Sequence, residues 1–209
     1  MYKHFIKRAL DILVSVVALP FFALIYIFLA PAIYLSDKGP VFYTAPRLGM
    51  NGKVFNMYKF RSMKVNAPDI RNADGSTFNS ANDPRVTKIG RLIRKTSLDE
   101  TPQLINVLKG DMSLVGPRAH LITNYKGYDA LDDMRKKRIS VRPGITGYSQ
   151  AYYRNSIPME EKIKNDCYYA EHVSFALDLK ILVKTFTSVL RHENIYVSSD
   201  ARPGSGSAK

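Results

Sequence analysis

The chain has 209 residues and a net charge of +13, from 31 basic against 18 acidic side chains. Its one cysteine, Cys167, excludes an internal disulfide. Its four histidines show no metal-ligand spacing with that cysteine or with one another. There is no Walker loop, no GxGxxG turn and no internal repeat. The charge leaves three classes of partner: nucleic acid, an anionic membrane surface or a phosphate-rich substrate. No run of five consecutive basic residues occurs and no basic stripe is interleaved with aromatics, which argues against nucleic acid.

From Ile12 to Leu35 the chain runs 24 positions without a charge, and about 20 apolar residues suffice to cross a bilayer as helix. Pro20 sits inside this run. Lys3, Lys7 and Arg8 precede it, and Lys38, Arg47, Lys53, Lys59, Arg61 and Lys64 follow it. Basic flanks favour the cytoplasmic side, so both ends of the segment ask for the same face. Two geometries are open: a spanning helix with a tolerated proline kink, which hydropathy favours, and a hairpin that bends near Pro20 and returns. The run is too long, and lacks the small-residue cleavage site, for a signal peptide.

Beyond the anchor, about 170 residues remain, enough for one domain with its own core. Val41 to Thr44 and Val54 to Phe60 read as strands, joined by a hairpin at Asn51-Gly52, where both positions accept positive φ. Residues 66–83 are polar and turn-rich, a mobile loop that is either a lid or a plain surface excursion. Residues 85–95 read as a helix with Val86, Ile89 and Ile93 on its apolar stripe. A second helix has Thr101 as cap, Pro102 in its first turn and Gly110 at its exit. Residues 159–172 and 174–192 are also helical by pattern. The last is a basic amphipathic helix, fit either to pack on the core or to lie in a membrane interface. The end, from 198, reads as a disordered tail, with GSGSAK an expression remnant.

Asp99-Glu100 precedes the Pro102 helix, where unpaired N–H groups and the helix dipole favour anions. A carboxylate held there suits attack on phosphorus or ligation of a divalent cation; routine helix capping is the simpler alternative. Gly116-Pro117-Arg118 and Arg142-Pro143-Gly144-Ile145-Thr146-Gly147 present arginines on proline-rigidified turns, with Arg154 following. The arginine fork donates two parallel hydrogen bonds to a phosphate. Lys59 and Arg61, at the end of the second strand, suit the same task. An apolar anchor, an activated carboxylate and fixed arginines together point to phosphate chemistry at an interface.

Four segments occur in order: Tyr58-Lys59-Phe60-Arg61-Ser62-Met63, Ser97-Leu98-Asp99-Glu100-Thr101-Pro102-Gln103, Gly110 through Arg118 (GDMSLVGPR), and Val141 through Gly147 (VRPGITG). They resemble the signature blocks of the bacterial sugar transferases, the monotopic polyprenol-phosphate phosphoglycosyl transferases, and the chain's size is similar to the small PglC-like type. The resemblance covers residues 1–190. It implies transfer of sugar-1-phosphate from a UDP-sugar to undecaprenyl phosphate, with UMP released, by a ping-pong route through a covalent aspartyl phosphosugar. It implies Mg²⁺, with Asp99 and Glu100 as the catalytic dyad and candidate metal ligands, and Lys59, Arg61, Pro117, Arg118, Arg142 and Arg154 as substrate-binding positions. It also implies a re-entrant hairpin broken at Pro20, with Arg8 and Asp11 near the headgroups. One departure is that Ala119 stands where the family usually has a second proline after the arginine, which loosens that turn. Asp166 resembles an acidic position near the site.

The expected architecture is α+β: a re-entrant membrane helix-hairpin over 1–36, a mainly helical catalytic domain over 37–197 with a small β-hairpin and amphipathic interfacial helices, and a tail over 198–209. The expected location is the cytoplasmic face of the bacterial inner membrane, without nucleic acid, and a homodimer is compatible with it. Loops 66–83 and 120–135 are the expected sugar-reading elements. The rival readings are a lipid-carrier glycosyltransferase that releases UDP and a non-enzymatic basic adaptor at a membrane surface.

Overall fold

The computed structural model describes residues 2–70, 78, 80, 82–122, 125–153 and 156–191. Arg154, half of the 66–83 loop and the tail lie outside the described residues. A π-helical turn, Tyr2–Ile6, leads into α1, Lys7–Asp37, one helix of 31 residues, about 46 Å long at 1.5 Å per residue. Pro20 and Pro31 both lie within it. Helical backbone therefore continues through the expected break point. A proline forfeits one ladder hydrogen bond and kinks a helix without having to end it.

The domain holds α1 at both ends. Near its start, Arg8 donates to Val107 O at 2.6 Å and Leu108 O at 3.0 Å, and Asp11 accepts from Leu114 N–H at 3.0 Å. At its finish, Asp37 pairs with Arg61 at 2.7 Å and accepts from Val65 N–H. Between them, Phe22, Ile25 and Leu29 pack with buried Ile33 on Phe60 and Ile93. The other face recurs at three-to-four spacing and is left open: Leu13, Val17, Phe21, Leu24 and Phe28 are all more than half exposed.

β1 (Phe42–Leu48) and β2 (Val54–Phe60) pair antiparallel from Phe42 opposite Phe60 to Leu48 opposite Val54. The turn between them carries positive φ at Asn51 (+54°) and Gly52 (+81°), as the Asn-Gly pair predicts. β1 runs longer than the expected 41–44 stretch, through Pro46. Among the described residues the short strand β4 (His120–Leu121) pairs only with Arg47 and Leu48, which leaves Pro46 at a sheet edge, where proline is tolerated.

α2 (Lys88–Lys95) is capped by Thr87, whose Oγ1 accepts from Gly90 N–H at 2.9 Å. α3 (Gln103–Lys109) ends at Gly110 in the left-handed region. Beyond it, β3 (Ser113–Val115) pairs parallel with β5 (Gly144–Thr146). The expected rigid turn over 142–147 is therefore partly a strand. Each strand has only three residues, too few for a period of two to show. A Cβ at Gly144 would sit 2.1 Å from Gly116 N, so this close approach requires glycine.

α4 (Asp133–Arg138), α5 (Tyr148–Tyr152), α6 (Met159–Glu171) and α7 (Phe175–Leu190) complete the fold. They bury Val115, Val141, Ala151, Tyr169, Ala170 and Ile181 in one cluster. α7 packs on the core through Ile181, which is fully buried, while Phe175, Leu179, Val183 and Phe186 are exposed. Tyr2 and Lys7 both reach Asp178 of α7, at 2.6 and 2.7 Å, and Tyr2 makes an edge contact with Phe175. The start of α1 and the start of α7 are thus neighbours.

Asn106, fully buried on α3, ties that helix to β2. Its Oδ1 accepts from Tyr58 N–H at 3.0 Å and its Nδ2 donates to Asn56 O at 2.7 Å. Asn106→Ala should lower stability by roughly 2–4 kcal/mol, because it strands two backbone groups and opens a void. Denaturant unfolding in detergent measures this; a loss under about 1 kcal/mol would contradict it.

Candidate active site

After α2 the chain reverses at Ser97, which adopts φ +59°. A non-glycine residue in the left-handed region is uncommon and mildly strained. It feeds a 3₁₀ turn, Leu98–Glu100, that runs straight into α3. Thr101 does not cap this helix; its Oγ1 donates back to Leu98 O at 2.9 Å. The 3₁₀ turn has taken the place where a cap would sit, and it carries both acidic residues.

The two carboxylates have unlike surroundings. Glu100 accepts from Lys59 Nζ at 2.6 Å and from Gln103 Nε2, and Arg118 Nη2 lies 3.8 Å away. Burial alone would raise its pKa, but Lys59 and Arg118 outweigh burial and the group stays below the usual glutamate value. Asp99 accepts no hydrogen bond among the described residues. Burial first, and the adjacent Glu100 charge second, push its pKa up to about 6, against Lys59, Arg94 and Arg118, which pull it down. Burial likewise lowers the pKa of Lys59, against the pull of Glu100. One carboxylate is thus spent on a hydrogen-bonded ion pair while its neighbour is left unbound, and the two titrate as a pair.

Of the expected site residues, Lys59 and Arg118 reach the dyad. Pro117 shapes the turn beside it, its carbonyl accepting from Gly144 N–H at 2.9 Å. Arg118 forms a parallel bridge with Gly144, and its carbonyl accepts from Arg138 Nη2 at 3.1 Å. Arg138 is buried and paired with buried Asp166 at 2.6 Å. The turn that Ala119 was expected to loosen is therefore held by a bridge and a buried ion pair. Asp166 acts through Arg138 and does not contact the dyad.

Arg61, Arg142, Arg8 and Asp11 do not reach the dyad. Arg61 is buried and committed to Asp37, Pro40 O and Met63 O. Arg142 donates to Gly110 O at 3.0 Å, at the far end of α3, where Arg8 also binds. Both arginines satisfy carbonyls that a helix C-terminus leaves open. Arg154 lies outside the described residues. The sequence reading misses three residues that matter here. Gln103 is three positions from Glu100, a spacing that puts side chains on one helix face. Arg94 is held by Ser62 Oγ at 2.8 Å and adds positive potential at Asp99. Arg138 gives no sequence signal, since its partner lies 28 positions away.

No group of three or more His, Cys, Asp or Glu that could hold a metal occurs among the described residues. Mg²⁺ needs no such cage: it is commonly held by one or two carboxylates together with substrate phosphates and water. The unengaged oxygens of Asp99, next to Glu100, fit that donor set.

The sequence model of the family described as "Bacterial sugar transferase" matches residues 2–192. The chain is 43% identical over 198 residues to the "Galactosyl transferase CpsE" of Streptococcus agalactiae serotype III, covering 90% of this chain and 43% of that protein. It is 40% identical over 188 residues to the "UDP-glucose:undecaprenyl-phosphate glucose-1-phosphate transferase" of Escherichia coli, covering 88% and 40% respectively. It is 41% identical over 205 residues to the "Uncharacterized sugar transferase EpsL" of Bacillus subtilis, covering 96% and 97%. The chain thus spans less than half the length of the first two relatives and nearly all of the third. On this match the chain, including the Asp99-Glu100 turn, belongs to the bacterial sugar transferase family.

Proposed function

We propose that this chain transfers sugar-1-phosphate from a UDP-sugar to undecaprenyl phosphate, releasing UMP, with Asp99 as nucleophile. The observation that carries the reading is the unlike dyad: Glu100 neutralised by Lys59, and Asp99 unbound beside it. The names of the relatives supply the substrate class. In the first half-reaction an Asp99 oxygen bonds to the sugar-bearing phosphorus. The bond from that phosphorus to the bridging oxygen breaks, and UMP leaves with that oxygen. In the second, an oxygen of undecaprenyl phosphate bonds to the same phosphorus and the acyl-phosphate bond to Asp99 breaks. The Asp99 carboxylate returns and the lipid carries a diphosphate-linked sugar. The covalent route splits one transfer between two anions into two steps, so the two substrates need not share the site.

Arg118, at the dyad and with its side chain 59% exposed, is placed to take the charge of the diphosphate. Mg²⁺, held by Asp99, Glu100 and substrate phosphate, would screen the anionic groups as they meet. The membrane reading rests on the exposed apolar faces of α1 and α7, which begin side by side. Because one domain grips both ends of α1, a transverse crossing would carry that domain into the hydrocarbon. A non-spanning, monotopic seat on the basic cytoplasmic side agrees better with the contacts and with the +13 charge.

Asp99→Asn should abolish UMP release while the protein stays folded and membrane-bound; an active variant would defeat the mechanism. Product analysis across a panel of UDP-sugars, with undecaprenyl phosphate and Mg²⁺, tests the reading directly. UDP in place of UMP would replace it with ordinary glycosyl transfer. The pH profile is a second check. Asp99 must be ionised to attack, and its pKa is raised to about 6. Activity should therefore fall about tenfold per pH unit below that value. Lys59→Gln removes a charge that favours both ionised carboxylates, so the acid limb should move to higher pH; a limb that stays put would show that Lys59 does not tune the dyad.

A further inference from the structure

Beside the dyad lies a small cleft, lined by Lys59, Glu100 and Arg118, with Met57 and Ile145 among its apolar walls and Gln150 among its polar ones. Gln150 sits in the single short turn of α5. Its Nε2 donates to Ile145 O at 3.3 Å, which fixes which end of the amide is which. Its Oε1 is shut off from bulk solvent and accepts no hydrogen bond. A Cβ at Gly147 would come within 2.7 Å of that oxygen, so the backbone leaves room where a side chain would crowd it.

A buried amide oxygen without a donor is destabilising, and such groups are few in folded proteins. Two nearby donors are already engaged: Lys59 and Gln103 both give hydrogen bonds to Glu100. Phosphate groups only accept. Arg47 and Arg118 also line the cleft; a donor supplied by the substrate would be an N–H or O–H of its base, its ribose or its sugar.

We propose that Gln150 Oε1 receives a neutral N–H or O–H of the nucleotide-sugar, making Gln150 a substrate-binding residue of this cleft. The inference rests on the UDP-sugar reading above and deepens it. Three parts of that substrate carry such a donor: the uracil imide, the ribose hydroxyls and the sugar with its hydroxyl or acylamino groups. Where the donor lies on the sugar, α5 and the cleft share in reading it.

The test compares the full chain with Gln150→Met, which keeps side-chain volume and removes both polar atoms. UDP-sugar and UMP binding is followed by calorimetry, UMP release by kinetics, and folding by thermal unfolding. The expected result is about a tenfold weaker Kd and higher KM for the UDP-sugar, kcat near that of the parent, and a melting temperature that holds or rises. If UMP binding weakens in parallel, the nucleoside, uracil or ribose, is the donor; if UMP binds as before and only some sugars lose affinity, the sugar is. A Kd within twofold of the parent for every UDP-sugar would overturn the proposal, as would a drop in melting temperature without any change in binding, the mark of a glutamine that merely holds a structural water. Binding that shifts as expected in a chain that never releases UMP would instead uphold this contact and sink the transferase reading.

Discussion

The ion pair between Lys59 and Glu100 is the constraint on which the site depends. Two adjacent carboxylates on one short turn repel each other, and in a partly buried setting that repulsion is poorly screened. A lysine 2.6 Å from one of them resolves the conflict unequally. Glu100 stays ionised and committed; Asp99 is left with a raised pKa and no hydrogen bond among the described residues. An unbound carboxylate that still ionises near neutral pH is what a nucleophile toward phosphorus requires. Lys59 can do this only because β2 delivers it there, and β2 is locked to the dyad helix through both amide atoms of Asn106.

The same short helix links the chemistry to the apolar anchor. α3 has seven residues, about 10 Å of rise. The acidic turn occupies its N-terminal end, where the helix dipole favours anions, and Arg8 of α1 and Arg142 bind carbonyls at its C-terminal end, where it favours cations. Arg8 thereby ties α1 to the helix that follows the Asp99 turn. Arg8 and Arg142 both hold carbonyls at the end of α3 away from the dyad. Arg61 works similarly at the other end of α1, through Asp37.

What could be read from the sequence divides along physical lines. The β-hairpin, α2, α6 and α7 announce themselves through period and turn chemistry, because Asn51-Gly52 and the apolar stripes act over a few residues. The dyad and its two nearest cations are visible as motif residues. The β3–β5 pair is hidden, because three-residue parallel strands show no alternation and their register is set by contacts about 30 positions apart. Motif membership also fails to separate the arginines. Arg61, Arg118 and Arg142 look alike on paper, yet only Arg118 keeps an exposed guanidinium at the dyad, while the others are absorbed by carbonyls and Asp37. A long side chain's target is decided by tertiary packing, which one sequence does not display.

Lys59 and Arg118 would play unlike parts in the proposed transfer. Lys59 is close to Glu100, mostly buried and hydrogen-bonded, so its charge serves as a fixed background to every step. Arg118 stands 3.8 Å from the same carboxylate with most of its side chain in solvent. Exposed pairs of that kind contribute about 0–1 kcal/mol, so an incoming phosphate competes for the guanidinium at little loss. Its backbone is the opposite of loose: the bridge to Gly144 and the Arg138–Asp166 pair hold the carbonyl while the side chain stands mostly in solvent. In the proposed transfer, a rigid root with a weakly committed tip would suit a cation that follows a phosphoryl group from nucleotide to aspartate to lipid. A tightly paired arginine would favour one of those states at the expense of the others.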